Sequence, residues 1–315
     1  MAGTVKLKDI AAAANCSANT VSRALRDCAD IGDETKEKIK RIAAELNYVP
    51  DNIAGSLRYG KTNLIALVAS SLTDPFVAAA SDMLVRRLRD KGFIPILMIA
   101  RGDRRGALLA DIKANRVCAV ISFFDPDDDI KEYCKGGGGT PLLIMGNTSD
   151  SAVSSVGVDD RACGELVAKA FAESEKRRPC YVGCNCGESD RLRRDGFARA
   201  LAETGATCDE YVAADEGLRD KLIQSGNDFI FCYNDEVAAA VAGELDRAGY
   251  PDATVFGVDG VFRYLPIYKK VNTVCGDIVA MTDSAADIIA DMVINGGAQP
   301  SRKVFPVEVV KVKQI

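Results

Sequence analysis

Several groupings of residues in this chain have the types and spacing to do chemistry. Gly55-Ser56-Leu57-Arg58-Tyr59-Gly60-Lys61-Thr62 has the spacing of a phosphate-binding loop, where backbone N–H groups and a helix amino end would cradle phosphates and Lys61 would reach them. Such a loop must leave a buried strand and open a helix. Here it follows Pro50-Asp51-Asn52 and leads into a strand predicted at Leu64, so nucleotide hydrolysis is only a competing reading. Gly136 to Gly139 likewise precedes a predicted strand and reads as a flexible loop. Cys180, Cys184 and Cys186 are the densest thiols, but a strand over Cys180 to Cys184 would hold its ends about 13 Å apart at ~3.3 Å per residue. They could not all hold one metal ion. They read as small buried hydrophobes, with a redox-sensitive Cys184/Cys186 pair as the alternative.

Histidine is absent from the 315 residues, which removes Ser-His-Asp triads, imidazole general bases and histidine-dependent zinc sites. The eleven cysteines are scattered over a chain far longer than a disulfide scaffold, so reduced thiols are expected. No apolar run approaches the ~20 residues of a membrane span, and Met1 to Ile10 holds no secretory core, so a cytosolic protein without a membrane partner is expected. The net charge of −5 looks wrong for a nucleic-acid binder until the chain is divided. Residues 1–61 hold 10 basic and 8 acidic side chains, a net of +2, and the remainder holds 30 and 37, a net of −7. A small basic head on an acidic body would show this polarity.

The elements that must position these residues change period near Thr62. Asp9 to Ala14 is rich in helix formers and ends at Asn15-Cys16. Ser17 then suits the N-cap of a second helix, Ala18 to Arg26, with Val21, Ala24 and Leu25 on one face. A third helix follows Asp30-Ile31-Gly32, with a stripe of Ile39, Ile42, Ala43 and Leu46. A second helix opening on small polar residues can enter a DNA major groove. There Ala18 offers a methyl, Asn19 an amide for adenine and Arg23 a fork for guanine, while Thr20 and Ser22 suit phosphates. Beyond Thr62, short apolar strands alternate with helices, which predicts parallel sheets with helices on both faces and ligands at the strands' carboxyl ends. The predicted strands are 64–69, 93–98, 117–122, 142–145, 155–158, 180–184, 229–233, 254–258 and 273–275.

The chain resembles the lactose repressor family of bacterial transcription regulators. In the head the resemblance is carried by Leu7-Lys8-Asp9-Ile10-Ala11, by Cys16 to Leu25 with its Thr20-Val21-Ser22-Arg23 core, by Glu34 to Ile39, and by Leu46-Asn47-Tyr48-Val49-Pro50. It continues through Asp74-Pro75-Phe76, Gly157-Val158-Asp159-Asp160, Arg191 to Phe197, Tyr233-Asn234-Asp235-Glu236 and Phe256-Gly257-Val258-Asp259. The resemblance implies an α + α/β protein: a helix-turn-helix head over 1–49, a hinge helix over 50–61, and a two-lobed α/β effector domain like periplasmic binding proteins over 62–315. The lobes would be roughly 62–160 plus 277–300, and 161–276 plus 301–315.

It further implies DNA base contacts by Ala18, Asn19 and Arg23, phosphate contacts by Lys6, Ser17, Thr20 and Ser22, and a minor-groove wedge of Leu57 flanked by Ala54 and Ser56. Asp51, Gly55 and Lys6 depart from the family's pattern, and the first two weaken hinge ordering. The implied effector residues are Asp74, Phe76, Asp160, Arg193, Asn234 and Asp259, a set suited to a polyhydroxylated ligand such as a sugar. Gly276 stands where the lactose repressor has glutamine, so the ligand does not transfer. The expected protein is a homodimeric regulator of a palindromic double-stranded operator, with no catalytic residue, metal or cofactor. A transport solute-binding protein and regulation by a partner protein are the remaining readings.

Overall fold

The computed structural model describes residues 5–25, 27–48, 62–100, 105–135, 139–185, 187–264, 271–296 and 299–312. It divides into two units, residues 1–62 and 63–315.

The head unit is three helices, α1 (Leu7–Ala14), α2 (Ala18–Leu25) and α3 (Asp33–Glu45). α1 ends because Asn15 takes a left-handed conformation, and α2 starts where Ser17 Oγ accepts the Thr20 N–H at 3.0 Å. The helices bury Ile10, Ala14, Val21, Ala24, Ile39 and Ala43 in one small core. On α2 this commits Val21 and Ala24 to the interior. Ala18, Asn19, Ser22 and Arg23 follow the i, i+1, i+4, i+5 rule and share the opposite side.

The body is two six-stranded sheets. The first runs β11-β5-β4-β3-β1-β2, from β1 (Leu64–Ala69), β2 (Ile94–Ile99), β3 (Ala119–Ser122), β4 (Leu142–Met145), β5 (Ser154–Val158) and β11 (Arg302–Phe305), all parallel. Between them run α4 (Pro75–Asp90), α5 (Arg105–Ala114) and α6 (Asp128–Lys135). Strand alternation is visible in β1. Ile65 and Leu67 enter the core under α4, and Ala66 and Val68 enter the core on the other face.

The second sheet runs β12-β10-β9-β8-β6-β7, from β6 (Pro179–Gly183), β7 (Asp209–Val212), β8 (Phe229–Cys232), β9 (Thr254–Val258), β10 (Asn272–Cys275) and β12 (Glu308–Val310). Only β12 is antiparallel to its neighbour. Its helices are α7 (Asp160–Ala172), α8 (Glu188–Glu203), α9 (Leu218–Gln224) and α10 (Asp235–Arg247). Phe171, Tyr181, Phe197, Phe229, Phe231 and Phe256 pack beneath α7 and α8 with ring centroids 5.2 to 6.5 Å apart. Edge and stacked pairs of this kind contribute about 0.5–1.5 kcal/mol each beyond burial.

The chain crosses between sheets after β5 and returns through α11 (Ile278–Asn295), which packs on the first sheet through Met281, Ala285 and Ile289. The third crossing differs from the expected boundary at residue 300. Arg302–Phe305 pairs with β5 in the first sheet, so the chain passes over at Pro306-Val307 and only Glu308–Val310 joins the second. Both short strands lie at sheet edges and carry polar residues, which hides them from an apolar pattern.

Among the described residues no helix is long and apolar enough to cross a membrane. Cys180 is buried and free, whereas Cys184 is disulfide-bonded, which departs from the expectation of reduced thiols. Cys186, Gly136 to Gly138, Ala54, Ser56, Leu57 and all of the phosphate-loop-like segment except Thr62 lie outside the described residues.

Candidate functional site

On the head, Ala18 and Asn19 are exposed, and Arg23, 42% exposed, pairs with Asp30. An exposed pair of this kind is worth about 0–1 kcal/mol, so the guanidinium can leave it at little cost. Ser17 and Thr20 share a 2.8 Å hydroxyl hydrogen bond beside the α2 amino end. Ser22 is partly buried one turn further along. Lys6 precedes α1, its backbone N–H bonded to Asp9 at 2.7 Å and its residue exposed. The sequence-selected head residues among those described therefore lie along α2 and at the start of α1.

The body's site is built by the strand ends. Asp74 follows β1, Phe123 and Phe124 follow β3, Asn147 follows β4, Asp160 follows β5, Tyr233 and Asn234 follow β8, and Asp259 follows β9. In parallel sheets these ends share one side, and all of these residues line a cavity of about 560 Å³ with walls from both sheets. The six sequence-selected residues Asp74, Phe76, Asp160, Arg193, Asn234 and Asp259 converge there.

Two of them are also helix caps. Asp74 Oδ1 accepts the Phe76 N–H at 2.9 Å and the Val77 N–H at 3.4 Å, and Asn234 Oδ1 accepts the Val237 N–H at 3.0 Å. The cap of α7 is Asp159, not Asp160. That leaves Asp160 for the cavity. Its two oxygens take the Arg193 Nε–H at 2.7 Å and the Asn147 amide at 2.6 Å. Asn147 belongs to the first lobe and also donates to the Val158 carbonyl, so this contact joins the lobes.

Arg193 is 6% exposed. It donates to the Tyr233 carbonyl at 2.6 Å, lies 4.9 Å above the Tyr233 ring, and comes within 3.9 Å of Asp259. Burial works against its charge, but Asp160, Asp259 and Tyr233 outweigh that and hold its pKa well above the ordinary value. Burial raises Asp259 well above the carboxylate range against the pull of Arg193, and raises Asp74 against its backbone donors.

Two further features position this set. α7 and α8 cross where Gly164 meets Gly196: a Cβ on Gly164 would stand 2.2 Å from the Arg193 carbonyl, and one on Gly196 would stand 2.3 Å from the Arg161 carbonyl. Any other residue would push Asp160 and Arg193 apart. Asp259 has φ 112°, a region costing a non-glycine residue about 1–3 kcal/mol. The following backbone is pinned by Gly260 N–H to Thr273 Oγ1 at 3.1 Å and Val261 N–H to Asp235 Oδ2 at 2.8 Å. Asp235 itself is buried, with Oδ1 unpartnered, and burial pushes its pKa to about 7. Gly276 lies in the turn between β10 and α11, and a Cβ there would stand 2.7 Å from Val158 Cγ1.

Sequence reasoning missed Asn147, the Tyr233 carbonyl, Gly164, Gly196 and Asp235 as members of the site. Tyr233 and Asp235 carried a signal through the Tyr233-Asn234-Asp235-Glu236 stretch, and Gly196 through Arg191 to Phe197.

A helix-turn-helix head and a separate two-lobed body with a ligand-sized cleft are the parts of a ligand-responsive DNA-binding regulator. Residues 6–51 match the family of bacterial regulatory proteins named lacI, and residues 168–313 match the periplasmic binding protein-like domain. The head thus resembles the lacI regulators and the body the periplasmic binding protein-like domain. The chain is 26% identical to the HTH-type transcriptional repressor PurR of Photobacterium profundum, covering 81% of this chain and 82% of the relative. It is 24% identical to the HTH-type transcriptional regulator GalR of Escherichia coli, covering 97% and 94%. In fold it matches the lac repressor dimer bound to operator and the anti-inducer ONPF, with a TM-score of 0.81, 21% identity and 98% of each chain covered.

Proposed function

We propose that the protein is a repressor whose affinity for a palindromic operator is set by a small polyhydroxylated effector, a sugar or sugar derivative, held between the lobes. The observation that carries this reading is the Asn147–Asp160–Arg193–Tyr233 network, centred on the buried Asp160 and Arg193, inside a cavity shared by both sheets. Carboxylates, amides and an arginine fork above Phe76 and Tyr233 match the alternating donors and acceptors of sugar hydroxyls. A ligand touching both lobes binds their closed and open arrangements differently, and that difference is the free energy available for regulation. Solved proteins of this fold include a CelR–cellobiose complex and an Enterococcus faecium regulator with bound ribose.

In this reading Ala18, Asn19 and Arg23 read bases, and Lys6, Ser17, Thr20 and Ser22 hold phosphates. Leu57 wedges the minor groove beside Ala54 and Ser56. Domain limits of 1–49, 50–61 and 62–315 go with it, as does a cytoplasmic location, where the DNA is. A homodimer is supported by two apolar surfaces. β2 exposes Leu97 and Ile99, and a groove of about 520 Å³ between α9 and α10 is lined by Leu218, Leu222, Val237 and Val241.

The test is a thermal-shift screen of sugars, amino sugars, sugar acids, sugar phosphates and nucleosides, followed by operator titration with each stabiliser. At least one compound should both raise the melting temperature and change operator affinity. A stabiliser without any effect on DNA binding would favour a transport solute-binding protein, and the absence of any stabiliser would favour control by a partner protein.

A further inference from the structure

The cleft is electrically lopsided. Among its described lining residues the carboxylates of Asp74, Asp125, Asp160, Glu188 and Asp259 face one cation, Arg193. Three of the five are matched elsewhere or by it: Asp125 by Lys131 at 2.7 Å, Glu188 by Arg191 at 2.5 Å, and Asp160 by Arg193 at 2.7 Å. The surplus falls on two residues. Asp74 accepts only backbone N–H groups and has no ion pair among the described residues. Asp259, with its side chain 13% exposed, has its nearest cation at 3.9 Å, and that same arginine is already engaged by Asp160 and the Tyr233 carbonyl.

The two surplus carboxylates are electrically coupled. Asp74 is among the groups that raise the pKa of Asp259, after burial, and it also raises Glu236 on the adjoining α10 amino end, again after burial. An anionic ligand placed here would meet two buried acids and, among the described lining residues, only a guanidinium that is already engaged. An ammonium would satisfy both acids, because opposite charge within about 4–6 Å favours the ionised carboxylate.

We infer that the cleft's ligand is a polyol bearing an ammonium group, of the amino-sugar class, with the ammonium set between Asp74 and Asp259 and the hydroxyls on Asn147, Asn234 and the Asp160–Arg193 pair. The same surplus excludes sugar acids and sugar phosphates. This rests on the cleft being the effector site.

Matched triplets test it: D-glucosamine, D-glucose and D-gluconate, with the galactose triplet beside them, titrated calorimetrically into the full-length protein at neutral pH. One amine should bind at least about tenfold more tightly than its neutral partner, with no heat from the acid. Asp74→Asn and Asp259→Asn, each checked by thermal denaturation to be folded, should weaken the amine at least about tenfold and the neutral sugar less than threefold. Neutral sugar binding as tightly as the amine, and weakened by Arg193→Lys, overturns the charge inference and leaves the cleft as the effector site. Preference for the acid overturns it too, as does no binding by any member of the panel. Amine binding indifferent to Asp74→Asn, Asp259→Asn and Arg193→Lys would place the site elsewhere and overturn both readings.

Discussion

Two arginines, one in each unit, show how differently the head and the body are built. Arg23 is 42% exposed and holds one equally exposed acid, so it is available to a partner and contributes little to folding. Arg193 is 6% exposed and ties Asp160, the Tyr233 carbonyl and the Tyr233 ring together. The head keeps its exposed polar face apart from its core, because Val21 and Ala24 pack on one side of α2 while Asn19 and Arg23 lie on the other. In the body the site is part of the core. Substitutions should therefore separate binding from stability in the head and couple them in the body.

The largest expected effect is on Arg193→Ala. Removing one partner of a buried ion pair leaves Asp160 uncompensated and should lower unfolding free energy by about 3–5 kcal/mol in denaturant titrations, against less than ~1 kcal/mol for Arg23→Ala. Equal, small losses would erase the contrast. Gly164→Ala comes next. Its methyl would meet backbone at 2.2 Å, so α7 and α8 must separate, at a cost of about 1–3 kcal/mol or more. A melting temperature equal to the parent's would show that the close crossing is dispensable.

In the head, Arg23→Ala should cost specific operator binding about 1–3 kcal/mol and relax preference at one position per half-site, while Lys6→Ala weakens all sequences alike and flattens the salt dependence. Equal losses on operator and random DNA would remove Arg23 from base readout.

The smallest effect concerns pH. Burial raises Asp235 to about 7 in the folded protein, from 3.8. The folded state therefore holds a proton that the unfolded chain has lost, so the contribution to stability is complete below the unfolded pKa and declines as pH rises toward about 7. Unfolding free energy should fall by at least ~1 kcal/mol between pH 5 and pH 8, and Asp235→Asn should flatten that slope. A parent whose stability rises over this range would contradict the assignment.

How much of this the sequence disclosed follows from burial. Strands covered on both faces, such as Leu142–Met145 and Thr254–Val258, are continuous apolar runs and were located to the residue. The edge strands Asp209–Val212, Arg302–Phe305 and Glu308–Val310 escaped because each mixes in polar residues, and missing the last two displaced the third crossing. Within the site, the resemblance supplied Asp160, Arg193 and Asp259. It could not show that Asn147 crosses from the other lobe to reach Asp160, nor that Gly164 and Gly196 touch, because those contacts exist only after the sheets assemble.

The central claim is that a ligand held by Arg193 controls the DNA affinity of a separate head, and linkage on Arg193→Lys tests it most directly. Lysine keeps the charge that Asp160 requires but lacks the planar fork that serves Asp160, the Tyr233 carbonyl and a ligand together. Operator affinity should be measured with and without the strongest stabiliser from the screen, for the parent and for the folded variant. The account predicts ligand-free affinities within about threefold of each other, roughly 0.7 kcal/mol at ~1.4 kcal/mol per decade, with the ligand-dependent change present in the parent and lost in the variant. A variant that binds the same ligand with unchanged affinity and still shifts on DNA would contradict it.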